Sequence, residues 1–85
     1  MNDKVTIEEI EKWASKLDDV SENVEIFDTR GESMLGNMRA YISDSQHFKQ
    51  QGDLVRSFEA LVWAWAIFEI CSELGVFNQK STEDE

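Results

Sequence analysis

A chain of 85 residues is long enough for one hydrophobic core and too short for two, so a second domain is excluded. Its 18 acidic residues against 8 basic ones give a formal net charge of -10 that repels phosphate backbones, and Lys4, Lys12, Lys16, Arg30, Arg39, Lys49, Arg56 and Lys80 form no run that a nucleic acid could follow. The single cysteine excludes an intrachain disulfide, and the longest unbroken apolar run, Ala60 to Phe68, is about half of the roughly 20 residues a membrane span needs.

The beginning, MNDKVTIEEIEKW, is acidic and has no apolar core of signal-peptide length, so a cytoplasmic protein is expected, with no membrane and no nucleic acid among its partners. The first helix is expected to start at Thr6, where Thr6-Ile7-Glu8-Glu9 has the form of a capping box. Ile7, Ile10, Ala14, Leu17, Val20, Val24 and Phe27 recur at steps of three and four and so share one helical stripe. Glu8, Glu11, Lys12, Lys16, Asp18, Asp19, Glu22 and Glu25 fall between them and make the opposite face wet.

Between Phe27 and Gly36 two starts for the second helix are open, Thr29 with Glu32, or Ser33. Met34, Leu35, Met38, Tyr41, Ile42, Ser45 and Phe48 then continue at helical spacing. Gly52 supplies the left-handed residue that ends this helix after Gln51, and Asp53 follows as N-cap of the third. So short a connection folds the second and third helices back as an αα-hairpin. The expected fold is therefore all-α, a three-helix antiparallel bundle over residues 1–77, with a polar, frayed tail at 78–85.

The third helix is expected from Leu54 to about Leu74, with Gly75 ending it and Val76 turning back onto Cys71. Leu54, Phe58, Leu61, Val62, Trp65 and Phe68 form one apolar stripe, the expected core face. Trp63, Ala66, Ile67, Ile70 and Leu74 form a second stripe roughly opposite. Two accounts of the second stripe are open: the first helix covers it, or it docks a second copy or another protein. These five residues are the candidate interface.

No other residues assemble a chemistry. Asp44 and His47 lie one turn apart, but a carboxylate-bridged di-iron bundle needs two such pairs and the chain has one histidine, so only a dimer could complete it. Cys71 sits in an apolar helix without a basic neighbour in sequence, and no serine has a glycine-rich elbow or base partner. The glycines never form a phosphate-cradling motif, and the cluster Asp18, Asp19, Glu22 and Glu25 lacks the turn glycine and alternating oxygens of a calcium loop. No catalytic, cofactor-binding or metal-binding residue is assigned, and no enzyme activity is expected.

The stretch Met38-Arg39-Ala40-Tyr41-Ile42-Ser43-Asp44-Ser45-Gln46-His47-Phe48, with the Gly52-Asp53 turn and Phe58-Glu59-Ala60-Leu61 beyond it, resembles the archaeal family called domain of unknown function 357. The closing Leu74-Gly75-Val76-Phe77 fits the same pattern, so the resemblance covers roughly Glu32 to Phe77. Ser45 and Ser57 stand where that family more often has alanine, and Trp65-Ala66-Ile67-Phe68-Glu69 replaces a stretch richer in Gly and Asp. The resemblance implies a small helical bundle in an archaeal cytoplasm and carries over no activity. A weaker similarity is to HEPN helical domains, which would make the chain an accessory to nucleotide or RNA chemistry. Seven residues separate Arg39 from His47, outside the four to six of the nuclease motif in that group, so no nuclease activity is implied.

Overall fold

The computed structural model describes residues 6–27 and 29–79. Helix α1 spans Ile7–Glu22, α2 Thr29–Gln50 and α3 Leu54–Glu73. Two three-residue strands complete the fold, β1 Val24–Ile26 after α1 and β2 Phe77–Gln79 after α3. The chain is a three-helix bundle in which α2 and α3 share the largest interface and α1 packs against both.

Each helix boundary has a local chemical cause. At the start of α1 the Thr6 Oγ1 accepts from the Glu9 N–H at 3.1 Å, and the Glu9 Oε1 accepts from the Thr6 N–H at 3.2 Å, which completes the capping box. At its end the Asn23 side chain donates to the Asp19 carbonyl at 2.8 Å, satisfying an acceptor that the next helical turn would have used. Val24 and Phe27 are therefore not helical, contrary to the stripe read from their spacing. Val24 instead pairs with Gln79, Glu25 with Asn78 and Ile26 with Phe77, in an antiparallel ladder. Asn78 and Gln79 thus belong to a strand, and residues 80–85 of the expected frayed tail lie outside the described residues.

Helix α2 begins at Thr29, the earlier of the two expected starts. Gly31 and Gly36 consequently lie within it and break nothing. Gly31 is buried where α2 meets the strands, and a Cβ there would collide with the Ile26 side chain and meet Val76 at 3.3 Å. The absence of a side chain lets the helix start against the sheet.

The α2–α3 hairpin closes as expected. Gly52 has φ of 83°, and the N–H groups of Gly52 and Asp53 donate to the carbonyls of Lys49 at 3.0 Å and Phe48 at 2.9 Å. That is a Schellman ending, and Asp53 then caps α3 through its Oδ1, which accepts from the Arg56 N–H at 3.1 Å. The same motif recurs at the end of α3: Gly75 has φ of 77°, its N–H donates to Ser72 at 3.2 Å, and the Val76 N–H donates to Cys71 at 2.9 Å. The turn tucks Val76 and Phe77 under the bundle, where both are buried.

The core contains Ile10, Leu17, Met38, Ile42, Leu61, Val76 and Phe77, with Ala14, Ala64 and Cys71 between them. On α3 the deepest positions are mostly small: Ser57, Ala60, Ala64 and Cys71 beside Leu61. Leu54, Phe58, Trp65 and Phe68 are half-buried at the margin, and Val62, expected in the core, is exposed. The reason is the close approach of α2, which leaves room only for short side chains along the helix–helix seam. Two serines meet on that seam. The Ser57 hydroxyl donates to the Ser45 carbonyl at 2.7 Å, and the two hydroxyl oxygens lie 2.9 Å apart, so Ser45 is the donor of the second bond. The buried hydroxyls thereby satisfy each other in an otherwise apolar interface.

Candidate interaction surface

Helix α3 is apolar on nearly every side, and the bundle covers only part of it. Helix α1 lies against the Phe58, Leu61 and Trp65 side, where the rings of Trp13 and Trp65 meet edge-on with centroids 6.0 Å apart. The opposite flank adjoins α2 through Tyr41, whose ring stacks on that of Trp63 at 6.3 Å and 21°. The side of α3 turned away from both helices carries the second sequence stripe. Trp63 is 60% exposed, Ile70 56% and Leu74 67%, while Ala66 and Ile67 are half-buried. All five residues of the candidate interface are thus on one side of one helix, and α1 covers neither Trp63 nor Ile70.

Shallow clefts flank α3 on both sides, and the one toward α2 borders this strip. On the α2 side, Asn37, Ala40, Tyr41, Asp44, Trp63 and Ile67 enclose about 490 Å³. On the α1 side, Trp13, Leu17, Phe58, Leu61, Val62 and Trp65 line an apolar cleft of about 200 Å³. Sequence reasoning missed the second cleft because Trp13 was left out of the first helix's stripe. Its spacing, three residues after Ile10 and four before Leu17, carried the signal. The Lys16 ammonium lies 5.1 Å from the centre of the Trp13 ring, so this side carries a cation.

A polar groove of about 530 Å³ runs between α1 and α2. Its two cations are occupied: the Arg39 guanidinium donates to the Ser21 carbonyl at 3.3 Å, and the Lys49 ammonium pairs with the Glu11 carboxylate at 3.2 Å. These contacts place the start of α1 beside the end of α2, which makes the two helices antiparallel.

The remaining candidates stay apart. Asp44 faces the Tyr41 and Trp63 cleft, whereas His47 is exposed with its ring 6.1 Å from that of Phe48. Among the described residues no three His, Cys, Asp or Glu side chains gather where they could hold a metal ion. Asp18, Asp19, Glu22 and Glu25 are all exposed. Cys71 is buried and free, and burial pushes its thiol above the ordinary range, with the charge of Arg30 opposing the shift. Arg30 is remote from Cys71 in sequence, so only the fold brings its field to bear. A thiol held neutral is a poor nucleophile. Among the described residues no helix is long and apolar enough to cross a membrane.

Comparison with known proteins bears on the same elements. The family described as protein of unknown function (DUF357) matches residues 9–77, from α1 through the first residue of β2. The crystal structure of a DUF357 protein from Archaeoglobus fulgidus is similar to this chain with a TM-score of 0.76 and 40% sequence identity, covering 86% of this chain and 91% of that one. No curated protein matches the sequence. Since the match takes in all three helices, both Schellman turns and the buried Val76-Phe77 close, the chain belongs to the DUF357 family.

Proposed function

We propose that this chain is a non-enzymatic interaction module of the cytoplasm, and that the outward side of α3 is where it docks, either on a second copy or on another protein. The observation that carries this reading is the joint exposure of Trp63, Ile70 and Leu74 beside the half-buried Ala66 and Ile67, on one side of a helix that packs against both of its neighbours. Scattered exposed apolar residues need no explanation, but large ones gathered on one strip and stiffened by a ring stack are characteristic of contact surfaces. Tryptophan and tyrosine are also the side chains that concentrate binding energy at interface centres. The buried Cys71, kept as a free thiol, accords with a reducing compartment.

The test compares wild type with Trp63→Asp and Ile70→Asp. Molar mass by light scattering across a concentration series reads self-association, and affinity capture with identification of the bound protein reads a heterologous partner. Loss of association in both variants at an unchanged unfolding midpoint supports the reading. Association that survives both substitutions ends it.

A further inference from the structure

The chemistry around the α3 strip chooses between the two occupants. At 100° per residue, Glu59 lies one turn before Trp63, Glu69 one turn after Ala66, and Glu73 one turn after Ile70. All three carboxylates are exposed, and Asp44 adds a fourth from α2 at the cleft shared with Tyr41 and Trp63. Arg56 is the only basic residue of α3, and its guanidinium is 3.6 Å from the Asp53 carboxylate and packs over the Phe48 ring at 6.0 Å. On α2, Arg39 and Lys49 reach toward α1, away from the strip, and Arg30 lies at the far end of the helix, where its charge bears on Cys71. The strip is therefore apolar from Trp63 to Leu74, with Glu59 one turn ahead of Trp63 on the same side, Glu73 and Glu69 along the edge turned toward α1, and Asp44 on the edge turned toward α2.

A second copy is a poor occupant for such a surface. An isologous interface sets each patch against itself, so Asp44, Glu59, Glu69 and Glu73 would face the same four carboxylates across a two-fold axis. Like charges brought together in this way oppose association, and each chain adds a formal net charge of -10. Resting on the docking reading above, we infer that the strip receives an amphipathic helix of another protein that is cationic on its flanks. Its apolar side chains seat along Trp63, Ile67 and Ile70, its lysines or arginines meet Glu59, Glu69, Glu73 and Asp44, and the Tyr41–Trp63 stack offers a ring face to one of those cations. From Glu59 to Leu74 the strip runs about 22 Å at the helical rise, the length of a four-turn partner helix.

Two synthetic peptides of about 18 residues test this, one of Leu and Lys in amphipathic register and one of Leu and Glu in the same register. Fluorescence anisotropy of the labelled peptides is titrated with the full chain. The expected result is saturable binding of the Lys peptide, weakened by salt, and none of the Glu peptide. Binding should weaken by about tenfold or more in Trp63→Ser and in the triple variant Glu59→Gln/Glu69→Gln/Glu73→Gln. A second triple variant, Asp18→Asn/Asp19→Asn/Glu22→Gln, removes as many charges from α1 and should bind as wild type does. Circular dichroism verifies that each variant is folded.

Equal weakening in the two triple variants would reduce the effect to diffuse charge attraction and overturn the inference. So would binding of the Glu peptide. If neither peptide binds and light scattering finds a dimer that Ile70→Ser dissociates, the occupant is a second copy: the inference fails while the docking reading stands. If neither peptide binds and the chain is monomeric at all concentrations, the inference fails and the docking reading loses its support as well.

Discussion

The two sides of α3 are opposite in size. Toward α2 it presents Ser57, Ala60, Ala64 and Cys71, all buried, and toward solvent it presents Val55, Val62, Trp63, Ile70 and Leu74, all more than half exposed. Hydrophobicity alone would turn the helix the other way, since burying the larger side chains removes more apolar area from water. What opposes that rotation is the interhelical distance. With the hairpin closed by a single Schellman turn at Gly52 and the Asp53 cap, α2 and α3 start their antiparallel run in close contact, and tryptophan cannot enter the seam. Small residues are buried because the backbones approach, and the large ones are left as a surplus that packing within the chain does not use.

That contrast can be broken most directly at Leu61, which is 2% exposed. Leu61→Ala is expected to lower stability by about 2–5 kcal/mol, whereas Trp63→Ala on the outward side should cost less than about 1 kcal/mol, both read from urea denaturation. Similar costs at the two positions would mean that the outward strip belongs to the core, and the comparison would collapse. Ala64→Leu probes the seam from the other direction. Ala64 is fully buried, so the added methylenes should cost about 1–3 kcal/mol by forcing the helices apart.

The serine pair sharpens the account of the seam. Ser57→Ala removes the donor to the Ser45 carbonyl and the acceptor of the Ser45 hydroxyl together, for an expected loss of about 1–3 kcal/mol. Ser45→Ala leaves the first of these bonds intact and should cost less. The double variant is expected to be more stable than Ser57→Ala alone, because the Ser45 hydroxyl is then no longer left without its partner, and alanine favours the helix. Strict additivity in this double-mutant cycle would mean that the hydroxyls do not act as a pair.

The smallest effect belongs to Cys71. Its folded-state pKa is raised by burial, so the native chain keeps the thiol proton at a pH where the unfolded chain has begun to lose it. The corresponding stability is fully present below the unfolded thiol pKa and is lost as pH rises through the folded one. Chemical denaturation over an alkaline pH series should therefore show a decline that is shallower in Cys71→Ala, whatever that variant costs at neutral pH. An identical pH slope in both proteins would assign the decline to other groups.

Where the fold depends on neighbours in sequence, it was legible. The capping box at Thr6 and Glu9, the Gly52-Asp53 turn and the Gly75 ending each involve groups within a few positions of one another, and each formed as its residues indicated. That Trp63, Ala66, Ile67, Ile70 and Leu74 share one side of α3 was legible too, from their helical spacing. What spacing misread was Val24 and Phe27. Their helical periodicity is genuine, but it yields to the Asn23 cap and to a ladder in which Val24 pairs with Gln79, at the other end of the chain. A strand of three residues is too short to display its own alternation.

Local sequence was enough to place the start of α1, the turn between α2 and α3 and the end of α3, to give one helical bundle, and to put two apolar stripes on α3. Only the tertiary structure decided which side of α3 faces inward, that Gly31 is the point where α2 meets Ile26 and Val76, and that Arg30 acts on Cys71. Caps and turns are local hydrogen-bond problems that a few residues can solve. The choice between two apolar stripes depends on how closely another helix approaches, a distance no single segment encodes.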